Sequence, residues 1–185
     1  MKNGGVHIGI DFEEIDQQSD MRELADVILH ALQKHNVKAT FFVVGNLIGK
    51  YEDLIKKIDA NGHEIALHSY KHRPLEQENR KCFTKALKKF KDEIEQSIAK
   101  PIYGFRAPIC SLTEETKWVT ESLKELGFVY SSSIIPAKTK RYGYSAESRD
   151  IFNWDSGLVE VPVSIIKMGK YAVPYLSGVY FRYLP

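Results

Sequence analysis

"ATFFVVGNLIGKYEDLIKKIDANGHEIALH", Ala39 to His68, is the stretch whose reading decides the fold. Its opening "ATFFVVG" is a nearly continuous apolar run, the pattern of a strand covered on both faces. From Leu47 to Ala60 the apolar residues Tyr51, Leu54, Ile55 and Ile58 recur at helical spacing, and Gly62 is placed to stop that helix. "HEIALH" (His63 to His68) then reads as a second strand. Two apolar strands joined by one amphipathic helix predict parallel strands with a crossover connection, hence an α/β architecture.

The same rhythm extends in both directions. Upstream, "VHIGIDF" (Val6 to Phe12) reads as a strand. A helix follows from Ser19, capped by Ser19 or Asp20, with Leu24, Val27, Ile28, Ala31 and Leu32 on its inward stripe. Downstream, a lysine-rich helix lies within Glu76 to Ile98 with Phe83, Leu87, Phe90 and Ile94 inward. Strand "IYGFRA" (Ile102 to Ala107), a helix from Thr113 to Leu126 and strand "FVYSSS" (Phe128 to Ser133) continue it. From Ile134 to Gly157 the rhythm gives way to a long polar and aromatic excursion, the kind of loop that is usually functional or flexible. "LVEVPVSII" (Leu158 to Ile166) is the last expected strand.

Composition narrows the function classes. With 185 residues, 43% of them hydrophobic, residues 1–185 are expected to form a single domain. The 26 basic and 24 acidic residues leave a formal charge of +2, so nucleic acid is not an expected partner. Charge appears too early for a signal peptide and no apolar run reaches a membrane span, so the expected location is cytoplasmic, or peripheral to the inner membrane. Cys82 and Cys110 form no metal-type or redox-type pair, and two free thiols are expected.

In parallel α/β folds the site gathers at the C-terminal ends of the strands. Those ends carry Asp11, Glu13 and Glu14, then His68 and His72, then Arg106. Imidazoles and a carboxylate suit a divalent ion such as zinc, with a further carboxylate left over to accept a proton. A lone His-x-x-x-His pair is weak, and Arg106 alone would read as a surface arginine. Three strand ends supplying complementary chemistry point to one shared hydrolytic site. His7, His30, His35 and His63 lack such company and read as structural or solvent-exposed.

Taken together, "IDFEE", "ATFFVVGN", "GHEIALHSYKH", "GFRAP", "LGFVYSSSI", "LVEVPVS" and "GVYFRYLP" resemble the polysaccharide deacetylases with the NodB homology domain. Within that family of carbohydrate esterases the chain looks most like the branch associated with exopolysaccharide and exosortase loci. The resemblance implies a deformed, incomplete (β/α) barrel of the seven-stranded NodB-like type. It also implies removal of N-acetyl groups from a glycan, and one divalent metal, zinc before cobalt or nickel. By the same resemblance His68, His72 and Glu13 are the metal ligands, with Glu14 an alternative to Glu13. Asp11 is the general base and Arg106 the arginine that holds it. Pro108, Tyr142 and Trp154 lie on the substrate side, the last two, with Tyr144 and Phe152, as flat faces for a sugar.

One family motif has no counterpart. The family's general acid is a histidine in a Leu-x-His strand end, and no histidine follows His72. The domain is therefore expected to lack its C-terminal segment, with a cost of about 10²–10⁴-fold in rate if no other acid serves. Uncovered apolar surface would favour a homo-oligomer. The alternatives left by the sequence are a metal-independent amidohydrolase of cyclic ureides or imides, and a non-catalytic glycan-binding or assembly protein.

Overall fold

The computed structural model describes residues 6–14, 21–137, 142–144, 149–168 and 171–174, the last six of these (167–168 and 171–174) by backbone alone. The expected cap at Ser19 or Asp20 and the motif "GVYFRYLP" lie outside the described residues. The chain has the α/β fold of a deformed, incomplete barrel, and its contacts divide it into two compact units.

The first unit, Met1–His72 with Ala86–Ile102, contains three parallel strands. They are β1 (Gly9–Phe12), β2 (Thr40–Val43) and β3 (Glu64–Leu67), in register so that Asp11, Phe42 and Ala66 lie side by side. The crossovers are α1 (Met21–Lys34) and α2 (Ile48–Ala60). Phe41, Phe42 and Val43 are wholly buried, as a central strand of continuous apolar residues requires. Tyr51, Leu54, Ile55 and Ile58 form the buried stripe of α2, as expected. The stripe of α1 is rotated from the expected one. Met21, Ala25, Leu29 and Leu32 are buried, whereas Leu24 and Val27 are exposed. The most hydrophobic side chains mark the expected stripe, whereas the helix turns its smaller Ala25 inward.

The second unit, Arg73–Lys85 with Tyr103–Pro185, holds β4 (Gly104–Phe105), β5 (Tyr130–Ser131), β6 (Phe152–Asn153) and β7 (Val159–Glu160). Their order is β4-β5-β7-β6, parallel except for the last pair. Helix α3 (Arg80–Ile98) begins in this unit and finishes in the first. Phe83 meets Phe105 and Trp118 edge-on, and α4 (Trp118–Glu125) buries Val119 and Leu123. Strands here are short, and two expectations change. "LVEVPVSII" is not one strand: β7 ends at Glu160, next-but-one to Pro162, which has no N–H for a ladder. Ile165–Met168 (β8) instead pairs antiparallel with Tyr171–Pro174 (β9). Cys82 and Cys110 are not joined in a disulfide, as expected. No helix among the described residues is long and apolar enough to cross a membrane.

Candidate metal centre

Strand alternation sorts the acidic residues at the end of β1. Successive side chains point to opposite faces, so Asp11 and Glu13 share one face while Phe12 and Glu14 share the other. Phe12 is buried edge-on against Tyr51, whose hydroxyl donates to Glu14 at 2.7 Å. Lys50 closes on the same carboxylate at 2.5 Å. These hydrogen bonds, Lys50 first and Tyr51 second, hold the Glu14 carboxyl below its ordinary range. Glu14 is thus engaged by Lys50 and Tyr51, and Glu13 is the carboxylate that lies against the two histidines.

The histidine pair is built by a turn and not by a helix. His68 follows β3, with its N–H donated to Val43 O at 2.8 Å and its side chain 1% exposed. Ser69 then adopts a left-handed φ of 65°, a conformation unfavourable for any residue with a Cβ. The turn is clasped from β2: Gly45 N–H donates to Ser69 O and Asn46 N–H to Tyr70 O, both at 2.9 Å. Only glycine fits at position 45, because a Cβ there would come within 2.8 Å of the Tyr70 and Phe90 rings. Tyr70 packs against Phe90 of α3, and the chain returns so that the His68 and His72 rings lie 5.1 Å apart.

One ligand atom each from Glu13, His68 and His72 lies within 4.8 Å of the others. Oε2 of Glu13 is 3.8 Å from His68 Nε2 and 2.5 Å from His72 Nε2. That Oε2 is sealed from solvent. Two imidazoles and one carboxylate whose ligand atoms converge on one point suit a borderline divalent ion. The residues present therefore fit a metal. Asp11 lies outside this triad, 3.9 Å from His68 Nε2 and 36% exposed.

His72 is held above its ordinary pKa, first by its contact with Glu13, against the opposing effect of burial. Without metal, that pairing contributes stability fully present below pH ~6.5, the unfolded value, and lost as pH rises through the raised folded pKa. A ligand histidine must be neutral, so protons compete with the metal. Apparent zinc affinity is expected to fall about tenfold per pH unit once pH drops below the His72 pKa, with an onset above pH ~6.5. Isothermal titration between pH 5.5 and 8 checks this, and a flat profile down to pH 6 would refute it. The two glutamates are separated the same way. Glu13→Ala is expected to reduce zinc affinity by more than about tenfold, whereas Glu14→Ala changes it by less than about threefold.

The remaining expected site residues belong to the second unit. Arg106 follows β4 and donates through Nε to Ser132 O and through Nη2 to Ser132 Oγ, each at 3.0 Å. Pro108 is buried and opens a turn in which Ile109 and Cys110 both have left-handed φ, 49° and 50°. A β-branched residue in that region is a strained outlier, a feature that collects at functional sites. Tyr142 donates to Glu76 at 2.5 Å. Trp154 is 5% exposed, perpendicular to Tyr144 and close to Phe152, with its indole N–H donated to Glu160 at 3.0 Å. Tyr144 bonds Glu114, and burial first, then Glu114, pushes its hydroxyl far above the usual range. Glu160 itself was not singled out in the sequence, although a carboxylate inside the apolar run "LVEVPVS" is the mark of a buried, paired acid.

Comparison with known proteins gives a consistent set. Residues 3–130 match the family model described as polysaccharide deacetylase, and residues 132–185 match a domain of unknown function (DUF3473). The chain is 32% identical over 100 residues to a peptidoglycan-N-acetylglucosamine deacetylase of Bacillus cereus, covering 54% of this chain and 36% of the relative. It is 28% identical over 149 residues to the peptidoglycan-N-acetylmuramic acid deacetylase PdaA of Bacillus subtilis, covering 80% and 48%. It thus spans half or less of the length of these curated relatives. A crystal structure from Mycobacterium smegmatis, assigned as a polysaccharide deacetylase, superposes with a TM-score of 0.67 at 25% identity, over 85% of this chain and 58% of that one.

Proposed function

Because the chain belongs to the polysaccharide deacetylase family, we propose that it is a metal-dependent hydrolase that removes N-acetyl groups from a glycan or a lipid-linked saccharide. The observation that carries this is the convergence of Glu13, His68 and His72 at the ends of β1 and β3. These three residues would hold the ion, with zinc the proposed metal. When bound, the ion would lower the pKa of an attacking water and polarise the acetamide carbonyl.

The protein's own groups supply the rest. Asp11 stands on the same strand face as Glu13 but outside the triad, half-open to solvent, which suits a base that takes a proton from water. Arg106 is assigned, by resemblance of "GFRAP" to the family motif, to keep that base ionised. The strained turn after Pro108 is the proposed source of a backbone N–H for the developing oxyanion. Tyr142 is proposed to face the saccharide, and Trp154 to brace that region through its contacts with Tyr144 and Phe152. Placement in the exopolysaccharide-associated branch belongs to the same reading. It is supported by the Asp-x-Glu spacing of "IDFEE" taken with the other motifs.

Acetate release from a partially N-acetylated chitooligosaccharide tests the proposal. Release is expected to stop on chelation and to return with zinc. Absence of release with zinc present, or hydrolysis of a cyclic ureide that survives chelation, would overturn it.

A further inference from the structure

Glu160 is the only carboxylate among the described residues that is completely buried, at 0% exposure. It sits on β7 opposite Ser131 of β5. Oε1 accepts two successive backbone N–H groups, Ser133 at 2.6 Å and Ile134 at 3.2 Å, and Oε2 accepts the Trp154 indole N–H at 3.0 Å. Burial pushes its carboxyl upward, and these donors oppose that shift. A buried carboxylate is costly unless its lone pairs are filled, and here Oε1 is filled by the segment that follows β5 and Oε2 by the Trp154 indole.

That segment is the one that grips Arg106. Ser132, adjacent to the clamped Ser133 amide, offers its carbonyl to Nε and its hydroxyl to Nη2, both at 3.0 Å. Ser133 Oγ accepts the N–H of Ala107 at 2.8 Å and a hydrogen bond from Ser131 Oγ at 2.6 Å. Both the guanidinium and the backbone just beyond it are therefore referred to residues 131–134, and those residues are referred to Glu160. All of these groups lie in one compact unit.

We propose that Glu160 is a positioning residue for Arg106: it fixes the Ser132–Ile134 segment so that the Ser132 carbonyl and hydroxyl hold the guanidinium in one orientation. The catalytic consequence rests on the reading of Arg106 given above, whereas the geometric half does not. A purely structural Glu160 would stabilise the fold without bearing on that orientation.

The test uses ¹⁵N NMR of the Arg106 Nε–H together with acetate-release kinetics on the zinc-loaded protein. In the wild type that N–H is expected to exchange with water more slowly than the exposed Arg22 Nε–H. Equal rates would overturn the proposal with no variant needed. In Glu160→Gln, which keeps the shape but weakens acceptance, Arg106 exchange is expected to rise about tenfold or more. The same variant should lose about 10- to 100-fold in kcat with KM within about twofold. A lower melting temperature with exchange and kcat unmoved would make Glu160 merely structural and overturn the proposal. If Arg106→Ala leaves acetate release intact, the reading of Arg106 fails instead, and the exchange measurement still decides whether Glu160 holds the guanidinium.

Discussion

Replacing His68 with alanine is expected to lower zinc affinity by at least about 100-fold and to take acetate release down with it. The argument starts from burial. The ring is 1% exposed, its Nε2 lies 3.8 Å from Glu13 Oε2, and its backbone is fixed at the end of β3 by the bond to Val43. A ligand so fixed reaches the ion without the entropic cost of ordering a mobile side chain. Loss of residues that only support metal ligands commonly costs 10- to 100-fold in affinity, so loss of a ligand sets that range as a floor. The effect also appears in stability. Zinc at about 100 times its Kd stabilises a protein by ~2.7 kcal/mol, and the variant should show no zinc-dependent rise in Tm. His68→Gln, closer in volume, serves as the control for the space left by the ring and should lose zinc equally.

Asp11→Asn is expected to behave differently. It should keep zinc affinity within about threefold and lower kcat by about 10²–10⁴-fold, the usual worth of a general base. The separation follows from β1. Asp11 and Glu13 share a face, but only Glu13 is drawn against both histidines, while Asp11 stays at 3.9 Å from His68 and open to solvent. An amide cannot accept the proton, and its similar size leaves β1 and its pairing with Phe42 undisturbed. Loss of zinc in this variant would make Asp11 a ligand and leave the base to be sought elsewhere.

The β2-α2-β3 core was legible because continuous apolar strands and a clean helical stripe admit one arrangement. The histidine pair was legible as a strand end, but not as a left-handed turn at Ser69 clasped by Gly45 and Asn46, since that geometry depends on β2 lying alongside. The choice between Glu13 and Glu14 was available in the two-residue period of β1, and it became decisive only once Lys50 and Tyr51 were placed against Glu14. The face of α1 was misjudged because Leu24 and Val27 outrank Ala25 in hydrophobicity, while packing chose the small residue. Glu160 escaped notice because a charge within an apolar strand looks like an interruption until its partners, scattered over residues 133–154, are brought around it.

X-ray absorption of the zinc-loaded full chain tests whether Glu13, His68 and His72 form the metal centre. A first shell of nitrogen and oxygen only is expected, with outer-shell scattering from two imidazoles that drops to one in His72→Ala. Sulfur in the first shell, or a spectrum unchanged by His72→Ala, would contradict it.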